Sequence, residues 1–202
     1  MAKTLQLKRG IKNNLPTLQE GEPVFVTDEQ KLYIGTVTGS VSIGPNEILN
    51  LPLNKNIIRC VDSRQTSNGA GTFSSGGWRT RPLNTTLVNN ITYAYLSNNR
   101  IILPDGHYYC SGSAPAFYVS THQTRIFNYL TNSEIFLGTI EYSRGNNAQT
   151  RSYFQGFFSI VGSGALEIQH RCETSRSNDG FGVDGFSGIN SIYAEISIWK
   201  IS

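Results

Sequence analysis

The sequence predicts an all-β protein whose main part is an antiparallel two-sheet sandwich. From residue 57 onward, short runs rich in Val, Ile, Tyr and Phe recur, and turn residues separate them at intervals of about ten to fifteen residues. No segment has a sustained apolar stripe with the period of a helix, and only 15% of the residues are charged, which disfavours a helical bundle. About ten strands without an internal repeat are typical of a sandwich.

Residues 1–44 are predicted to form a small β unit of their own. Val24–Val26 and Leu32–Gly35 have the composition of two short strands, and the turn-prone segment Thr27–Gln30 separates them. A unit of this size buries little apolar surface, so we expect it to need a partner chain or a docking surface.

Residues 45–56 are interpreted as a linker. Leu49, Leu51 and Leu53 repeat with a period of two, but Pro52 lies between them and removes a backbone donor, which excludes an inner strand. Alternating leucines on an isolated linker would face water. We therefore expect them to contact the same leucines of neighbouring chains.

Residues 57–202 are predicted to form the sandwich domain. Clusters of Gly, Asn, Pro and Ser are expected to end its strands, among them Pro104–Gly106 and Gly162–Gly164. The predicted strands are Ile57–Val61, Trp78–Leu83, Thr92–Leu96, Arg100–Leu103, His107–Ser113, Ala116–Thr121, Thr124–Leu130, Ile135–Tyr142, Arg151–Ile160, Ala165–Arg171 and Ile192–Ile201.

Two of these strands are apolar on both faces. In Arg151–Ile160, Tyr153 and Phe157 alternate with inward Phe154, and the last strand has apolar residues on both sides as well. A lone sandwich buries only the inner face of each sheet, so outward rings need a cover, and a second copy of the chain is the simplest cover. We therefore expect a ring-shaped homo-oligomer. The predicted interface residues are Leu49, Leu51, Leu53, Tyr153, Phe157, Tyr193 and Trp199.

Charge and cysteine content limit the functional classes. The formal charge of +3 comes from scattered residues without a Lys/Arg run, which disfavours a nucleic-acid partner. The opening residues lack the apolar core of a secretion signal, and no long apolar run predicts membrane insertion. Cys60, Cys110 and Cys172 have no metal-ligand spacing, so we expect buried thiols rather than disulfides or a zinc site.

Candidate catalytic and metal-binding residues have weaker support. His107, His122 and His170 are the available imidazoles, and His170 with Cys172 would lie on one strand face, but no carboxylate cluster accompanies them, so we predict no metal and no cofactor. Glu134, Glu141 and Glu167 could supply the acid and base of glycan hydrolysis, but strand spacing alone cannot identify such a pair. We predict no catalytic residue.

Five arginines are predicted to have structural roles because they lie in strands rather than loops. Arg79 and Arg81 should share one strand face, opposite Trp78 and Thr80. A planar guanidinium makes paired hydrogen bonds with carboxylates or carbonyls, and the three glutamates are the expected acceptors. The set is Arg79, Arg81, Arg125, Arg151 and Arg171.

Two loops have the composition of recognition surfaces. Residues 144–150 and 175–190 are rich in Asn, Gly and Ser with interspersed aromatics, which suit glycan or protein contacts but also ordinary turns. The candidate receptor-facing residues are Asn146, Asn147, Asn178, Asp179, Phe181 and Phe186.

Two groups of motifs resemble bacteriophage structural proteins. Residues 5–36, LQLKRGIKNNLPTLQEGEPVFVTDEQKLYIGT, resemble the short module at the amino end of many phage fibre and appendage proteins. Five further segments resemble parts of a phage virion domain: GGWRTRPLNT at 76–85, ILPDGHYYCSGSAPAFYVSTHQTRIFN at 102–128, QTRS at 149–152, EIQHRC at 167–172 and GFGV at 180–183.

The resemblance implies a homotrimeric jelly roll, like the heads of tumour necrosis factor and complement-type proteins, carried on the virion by the amino-terminal module. It implies binding to other virion proteins and to a host-surface glycan or protein, and no catalytic residue. The residues expected to dock the module are Leu5, Leu7, Lys8, Arg9, Phe25 and Tyr33. Because the stretch before the head is short, a head fibre, a capsid decoration protein or a short tail tip fits better than a long tail fibre.

Overall fold

The computed structural model describes residues 8–43, 56–65, 69–145, 147–185 and 189–202. The chain divides into two compact units, residues 1–51 and 52–202. Most of the predicted linker, including Leu49, Leu51 and Leu53, lies outside the described residues, as do Leu5 and Leu7 of the amino-terminal module.

The amino-terminal unit is a four-stranded sheet in the order β1-β2-β3-β4. Its strands are β1 (Lys8–Gly10), β2 (Pro23–Val26), β3 (Lys31–Thr36) and β4 (Gly39–Ile43), with one 3-10 turn at Lys12–Asn14. The two predicted strands correspond to β2 and β3, and β1 pairs in parallel with β2. A small core of Leu18, Val24, Val26 and Tyr33 holds the sheet, and partly buried Leu15 packs against it.

The second unit, which we call the head, has the strands β5 (Ile57–Arg64), β6 (Arg79–Thr80), β7 (Thr85–Asn89), β8 (Tyr95–Ser97), β9 (Arg100–Phe117), β10 (Ser120–Asn128), β11 (Ser133–Ser143), β12 (Gln149–Cys172) and β13 (Ser191–Lys200). All of its strand pairs are antiparallel, which confirms the predicted fold class. The described residues contain no α-helix, and hence none long and apolar enough to cross a bilayer.

Strands β9 and β12 run through both layers of the sandwich. Residues 106–117 of β9 pair with residues 149–160 of β12 and with β13, whereas residues 101–104 pair with residues 163–166. Sheet I is therefore formed by β7, β5, β13, the second half of β9 and the first half of β12. Sheet II is formed by β8, the first half of β9, the second half of β12, β10 and β11, and β6 pairs with β12.

The predicted strand breaks at Pro104–Gly106 and Gly162–Gly164 are wrong. The pairing continues through both segments, with one register shift between Ile160 and Ser163. The two segments face each other, so the glycines allow a bend between the layers without ending the strands. Elsewhere, the predicted strand Trp78–Leu83 shortens to β6, and β7 was not predicted.

The core lies between the two sheets. Its inward residues alternate along each strand and include Ile58 and Ile196 from sheet I and Ile126 and Ile168 from sheet II, all at most 1% exposed. Cys60, Cys110 and Cys172 are free and buried, as predicted, and burial raises the pKa of the Cys110 thiol to about 12.

Candidate functional site

The outer surface of sheet I has four aromatic residues, Tyr109, Tyr153, Phe157 and Trp199, which we call the aromatic face. In the single chain, 56% of Tyr153 and 75% of Phe157 are exposed. The rings of Tyr109 and Phe157 have centroids 4.9 Å apart, and Trp199 lies 5.8 Å from Tyr109. Tyr109, Phe157 and Trp199 therefore form one aromatic cluster, and Tyr153 lies on the same strand face as Phe157.

Alternation along β12 produces this arrangement, as the sequence predicts. Tyr153 and Phe157 point outward, while Phe154 is only 3% exposed and packs in the core. Tyr109 joins the face from the neighbouring β9, where it pairs with Phe157 in register. The prediction missed Tyr109, although its alternation with buried Tyr108 and Cys110 was a signal that could have revealed it.

Tyr193 was predicted at the oligomer interface, and that prediction is wrong. The residue is 2% exposed and belongs to a second core cluster with Phe73 and Phe181. The register of β13 shifts between Ile192 and Glu195, and this bulge reverses the alternation, so Tyr193 points inward although Trp199 points outward.

Charged groups lie beside the aromatic face. The Arg59 guanidinium pairs with Glu195 at 3.0 Å, and Arg151 lies 3.5 Å from the same carboxylate. Arg151 also donates to Tyr193 O at 2.6 Å and to Ser113 Oγ at 2.9 Å. These contacts satisfy the charges within one chain, so the apolar character of the surface comes from its rings.

The predicted recognition loops gather at one end of the head, which we call the loop end. There β9 and β11 finish and β10 begins, while β12 both begins and finishes, so residues 144–145, 147–148 and 173–185 lie together. Asn147 and Asn178 are exposed there, whereas Asn146 and Phe186 lie outside the described residues.

The loop end is held by many hydrogen bonds. Phe73 and Arg176 form an isolated β-bridge, which ties residues 69–76 to residues 173–182. Arg176 also binds both carboxylate oxygens of Asp179, at 2.7 and 3.0 Å. Asp179 is therefore engaged within the loop, and the exposed groups beside it are presented from a fixed backbone.

Phe181 was predicted to face a receptor, and that prediction is wrong. Phe181 is 8% exposed, and its ring lies 4.5 Å from Phe73 and 4.1 Å from the Arg81 guanidinium. One aromatic contact and one cation–π contact, both away from water, anchor the loop to the interior.

Arg81 was predicted to pair with a glutamate, but it holds the loop end through backbone carbonyls. It is fully buried and donates to Pro115 O at 3.2 Å and to Phe181 O at 2.8 Å. Burial lowers the pKa of Arg81 to about 9, so the group keeps its charge at neutral pH. Arg79 was expected on the same strand face as Arg81, but the strand alternation does not reach Arg81 because β6 ends at Thr80. Arg79 is exposed and donates to Ser74 O and Ser75 O.

The other predicted structural arginines have mixed outcomes. Arg125 contacts Glu134 at 3.3 Å, one of the expected pairs, and also donates twice to Gln169. The partner of Glu167 is Arg100, at 2.8 Å, which the sequence did not indicate. Arg171 has a ring contact with Trp78 at 5.6 Å.

The glutamates considered for glycan hydrolysis have separate surroundings. Glu167 is 3% exposed, and burial alone would raise its pKa, but hydrogen bonds from Gln169, Arg100 and Thr80 lower it below the ordinary value. Glu134 pairs with Arg125, and Glu141 accepts a hydrogen bond from Thr139 Oγ1. A general acid needs a raised pKa, so Glu167 is unsuited to that role.

Two of the three histidines form a buried pair. His122 Nδ1 lies 3.0 Å from His170 Nε2, and His122 Nε2 lies 2.8 Å from Thr150 Oγ1. Burial, together with the Arg81 charge, lowers the pKa of His122 to about 4 and that of His170 well below its ordinary value. No group of three or more potential metal ligands occurs among the described residues.

In the amino-terminal unit, the predicted docking residues differ in exposure. Lys8 and Arg9 are exposed and Phe25 is partly buried, but Tyr33 is 6% exposed and packs in the small core. Its hydroxyl donates to Glu29 Oε2 at 2.5 Å and accepts from Lys12. Tyr33 therefore stabilises its own unit, which corrects its predicted role as a contact residue.

Gly35 explains the end of the Leu-Tyr-Ile-Gly motif. A Cβ atom at this position would lie 1.9 Å from the carbonyl oxygen of Gln19. The backbones approach closely because Gly35 N donates to Glu22 O and Gly21 N donates to Gly35 O. Only glycine fits there.

Comparisons with known proteins agree with both parts of the chain. The family model described as "Major tropism determinant N-terminal domain" matches residues 5–36. The crystal structures of murine APRIL at pH 8.0 and at pH 5.0 each match with a TM-score of 0.50 and 10% identity, covering 72% of this chain and 98% of theirs. No curated protein sequence matches.

These findings confirm the predicted resemblance. The amino-terminal part is similar to a phage tropism-determinant module, and the head is a tumour necrosis factor-like jelly roll. The amino-terminal match points to a phage attachment or fibre-type protein that is associated with the virion, whereas the likeness to the APRIL structures shows the fold alone.

Proposed function

We propose that this chain is a non-enzymatic virion protein that works as a homotrimer. Residues 1–44 dock it to other virion proteins, and the head presents its loop end to a glycan or protein of the host surface. The observation that carries the proposal is the aromatic face, which has the chemistry of a subunit interface on a head joined to a phage-type module.

The aromatic face supports self-association. Aromatic side chains are enriched in the centre of protein interfaces, and Phe157 and Tyr153 are the largest exposed rings of sheet I. A closed ring buries equivalent surfaces of every copy. We therefore assign Tyr109, Tyr153, Phe157 and Trp199 to the trimer interface.

The topology of the head supports recognition at the loop end. The chain enters the head at Ile57, which pairs with Trp199, whereas the loop end lies where β5 finishes and β13 begins. These positions are opposite ends of the same two strands. A head attached through its amino end would thus present the loop end, with Asn147 and Asn178, away from the attachment point.

The state of the glutamates supports a binding role over glycan cleavage. Glu167 has a lowered pKa and is held by Arg100, Thr80 and Gln169, which suits a structural carboxylate. Purified protein incubated with host polysaccharide should generate no new reducing ends. Steady production of reducing ends would overturn the non-enzymatic assignment.

Deletion of residues 1–44 tests whether the module docks the protein to the virion while the head folds and trimerises by itself. The truncated chain should remain a folded trimer and should no longer co-purify with phage particles assembled in its presence, whereas the full chain should do both. A truncated chain that still joins particles would contradict docking through the module.

A second experiment separates receptor binding from capsid decoration. Phage particles without the protein should adsorb poorly to host cells, and soluble trimer should compete with intact particles for adsorption. Normal adsorption together with greater breakage under heat or osmotic shock would replace the receptor proposal with a decoration role.

A further inference from the structure

One arginine on the outer surface of sheet II differs from its neighbours. Arg125 donates to Gln169 and Glu134, and Arg100 donates to Glu167, so both charges are satisfied within the chain. For the exposed side chain of Arg171, the structure gives a ring contact with Trp78 at 5.6 Å and no side-chain hydrogen bond or ion pair among the described residues. Its donors therefore face solvent, while its position is guided by the indole.

Arg171 lines a cleft of about 430 Å³ together with Thr121, Gln123, Ile140 and Glu173, which we call the Arg171 cleft. A volume of this order is within the range of small-ligand sites. The floor is regular sheet, because Gln123 of β10 pairs directly with Arg171 of β12. Side chains on paired strands keep a fixed spacing, which is what a binding site needs.

The polar groups of the cleft have unused hydrogen-bonding capacity. Gln123 Nε2 donates to Gly138 O at 3.0 Å, which fixes the amide and leaves its oxygen as an acceptor. Glu173 Oε2 accepts from the Thr121 backbone N–H at 3.3 Å, and its other oxygen can accept from a ligand hydroxyl. Ile140, which is 68% exposed, offers an apolar surface at the rim.

The side chains of the cleft suit a ligand that has a carboxylate and several hydroxyl groups. Arg171 supplies a guanidinium that has no ion-pair partner among the described residues, and Gln123 and Glu173 supply oxygen acceptors. A guanidinium binds a carboxylate through two parallel hydrogen bonds, while amide and carboxylate oxygens bind sugar hydroxyls.

We propose that the Arg171 cleft binds an acidic sugar, with Arg171 holding the sugar carboxylate, Gln123 and Glu173 accepting hydrogen bonds from its hydroxyls, and Ile140 contacting its C–H surface. This inference rests on the proposed function and names the ligand class for a site distinct from the exposed loop asparagines. The cleft lies close to the loop end, because Thr121 and Glu173 flank the start of β10 and the end of β12.

Titration of the full chain with the methyl glycosides of glucuronic, galacturonic and N-acetylneuraminic acid tests the proposal. Their methyl esters serve as neutral counterparts. At least one acid should bind, its neutral ester should bind at least tenfold more weakly, and Arg171→Ala should weaken the acid at least tenfold. Gln123→Ala should have a smaller effect, about threefold, because one neutral hydrogen bond is lost.

Lys200→Ala is the matched control, because it removes one partly exposed cation from the end of β13 in the other sheet. It should leave the affinity unchanged. The proposal is overturned if none of the three acids binds better than its ester, or if Arg171→Ala binds the acid as well as the natural chain does. Binding of glucose 1-phosphate in place of the acids would also overturn the carboxylate assignment.

The oligomeric mass of each sample separates this inference from the proposed function. A trimer that binds no acidic sugar contradicts the Arg171 cleft alone. A natural chain that is monomeric contradicts the proposed assembly, whatever its sugar affinity.

Discussion

The two outer surfaces of the jelly roll use similar residues in different ways. On sheet II, Arg125 lies 4.3 Å from the Trp78 ring and 4.6 Å from the Phe127 ring, and Arg100 lies 3.4 Å from the Tyr129 ring while binding Glu167. On sheet I, the outer side of Phe157 has no such cover, and the ring is 75% exposed.

This difference teaches that aromatic rings on the two surfaces are covered to different degrees within a single chain. Trp78, Phe127 and Tyr129 on sheet II obtain cation–π contacts and lie beside a hydrogen-bonded network that includes Gln169 and Glu167. On sheet I, Tyr109 contacts Phe157 and Trp199, and more than half of Tyr153 and of Phe157 is exposed. Substitutions on sheet II should therefore change the stability of the single head, and substitutions on sheet I should change its assembly.

The largest effect is expected for Phe157→Arg. A charge in the centre of the aromatic face would be desolvated in a trimer without a partner, so the assembly should dissociate completely. The far-ultraviolet circular dichroism should stay unchanged, because the side chain makes no core contact. Light scattering measures the mass.

Val161→Arg is the matched control, because Val161 is 89% exposed and lies at the bend of β12. It should leave the trimer intact. A trimeric Phe157→Arg variant would remove the distinction between the two surfaces.

Arg81→Ala tests whether contacts within a single chain hold the loop end in place. The change leaves two buried carbonyl groups unpaired and creates a cavity beside Phe181, so the head should lose about 4 kcal/mol of unfolding free energy. Chemical denaturation measures the loss. Arg79→Ala, which removes an exposed arginine two residues earlier, should cost less than about 0.5 kcal/mol. Equal effects of the two variants would contradict the anchoring role of Arg81.

The buried histidine pair predicts a pH dependence that arises on the inner side of sheet II. Burial lowers the pKa of His122 in the folded chain to about 4 from its ordinary value of 6.5, so the unfolded chain takes up more protons between these two pH values. Stability is therefore fully present above about pH 6.5 and falls as the pH decreases toward 4. The loss attributable to His122 is on the order of 3 kcal/mol.

His122→Gln keeps hydrogen-bonding groups and removes this titration. Thermal unfolding from pH 7 to pH 4 should show a shallower decline for the variant than for the natural chain. His107→Gln, at an exposed position, should decline like the natural chain. If stability declined equally with pH in all three proteins, protonation of His122 would not be linked to unfolding.

The smallest effect is expected for Arg125→Ala. The variant loses two ring contacts and the hydrogen bonds to Gln169, which should cost about 2 kcal/mol in a partly exposed setting. The mass of the assembly should not change. Arg125→Ala should therefore lower stability without dissociating the assembly. Phe157→Arg should dissociate the assembly without changing the secondary structure of the head. This pair of results would distinguish the two surfaces most clearly.

Alternation made much of the fold predictable from the sequence. It placed Phe157 outward and Phe154 inward correctly, because β12 is regular between residues 149 and 160. It failed for Tyr193, because one bulge in β13 exchanges the two sides and no residue type marks that bulge. The glycines at 162 and 164 were predicted to end a strand, yet the partner strand continued the pairing.

Contacts between distant segments were not predictable. Phe181 lies in a polar, glycine-rich loop, and its burial depends on Phe73 and Arg81, which are far away in the sequence. The Arg171 cleft is formed by three strands whose register is set by the whole sheet. Local composition identified these residues as notable, but only the tertiary structure assigned their contacts.

The central claim is that the aromatic face is buried between copies of the chain. Sedimentation velocity of the natural full chain at micromolar concentration tests this claim most directly. The account predicts a single species with three times the 22.3 kDa chain mass. A stable species of one chain mass, with Tyr153 and Phe157 accessible to solvent, would contradict it.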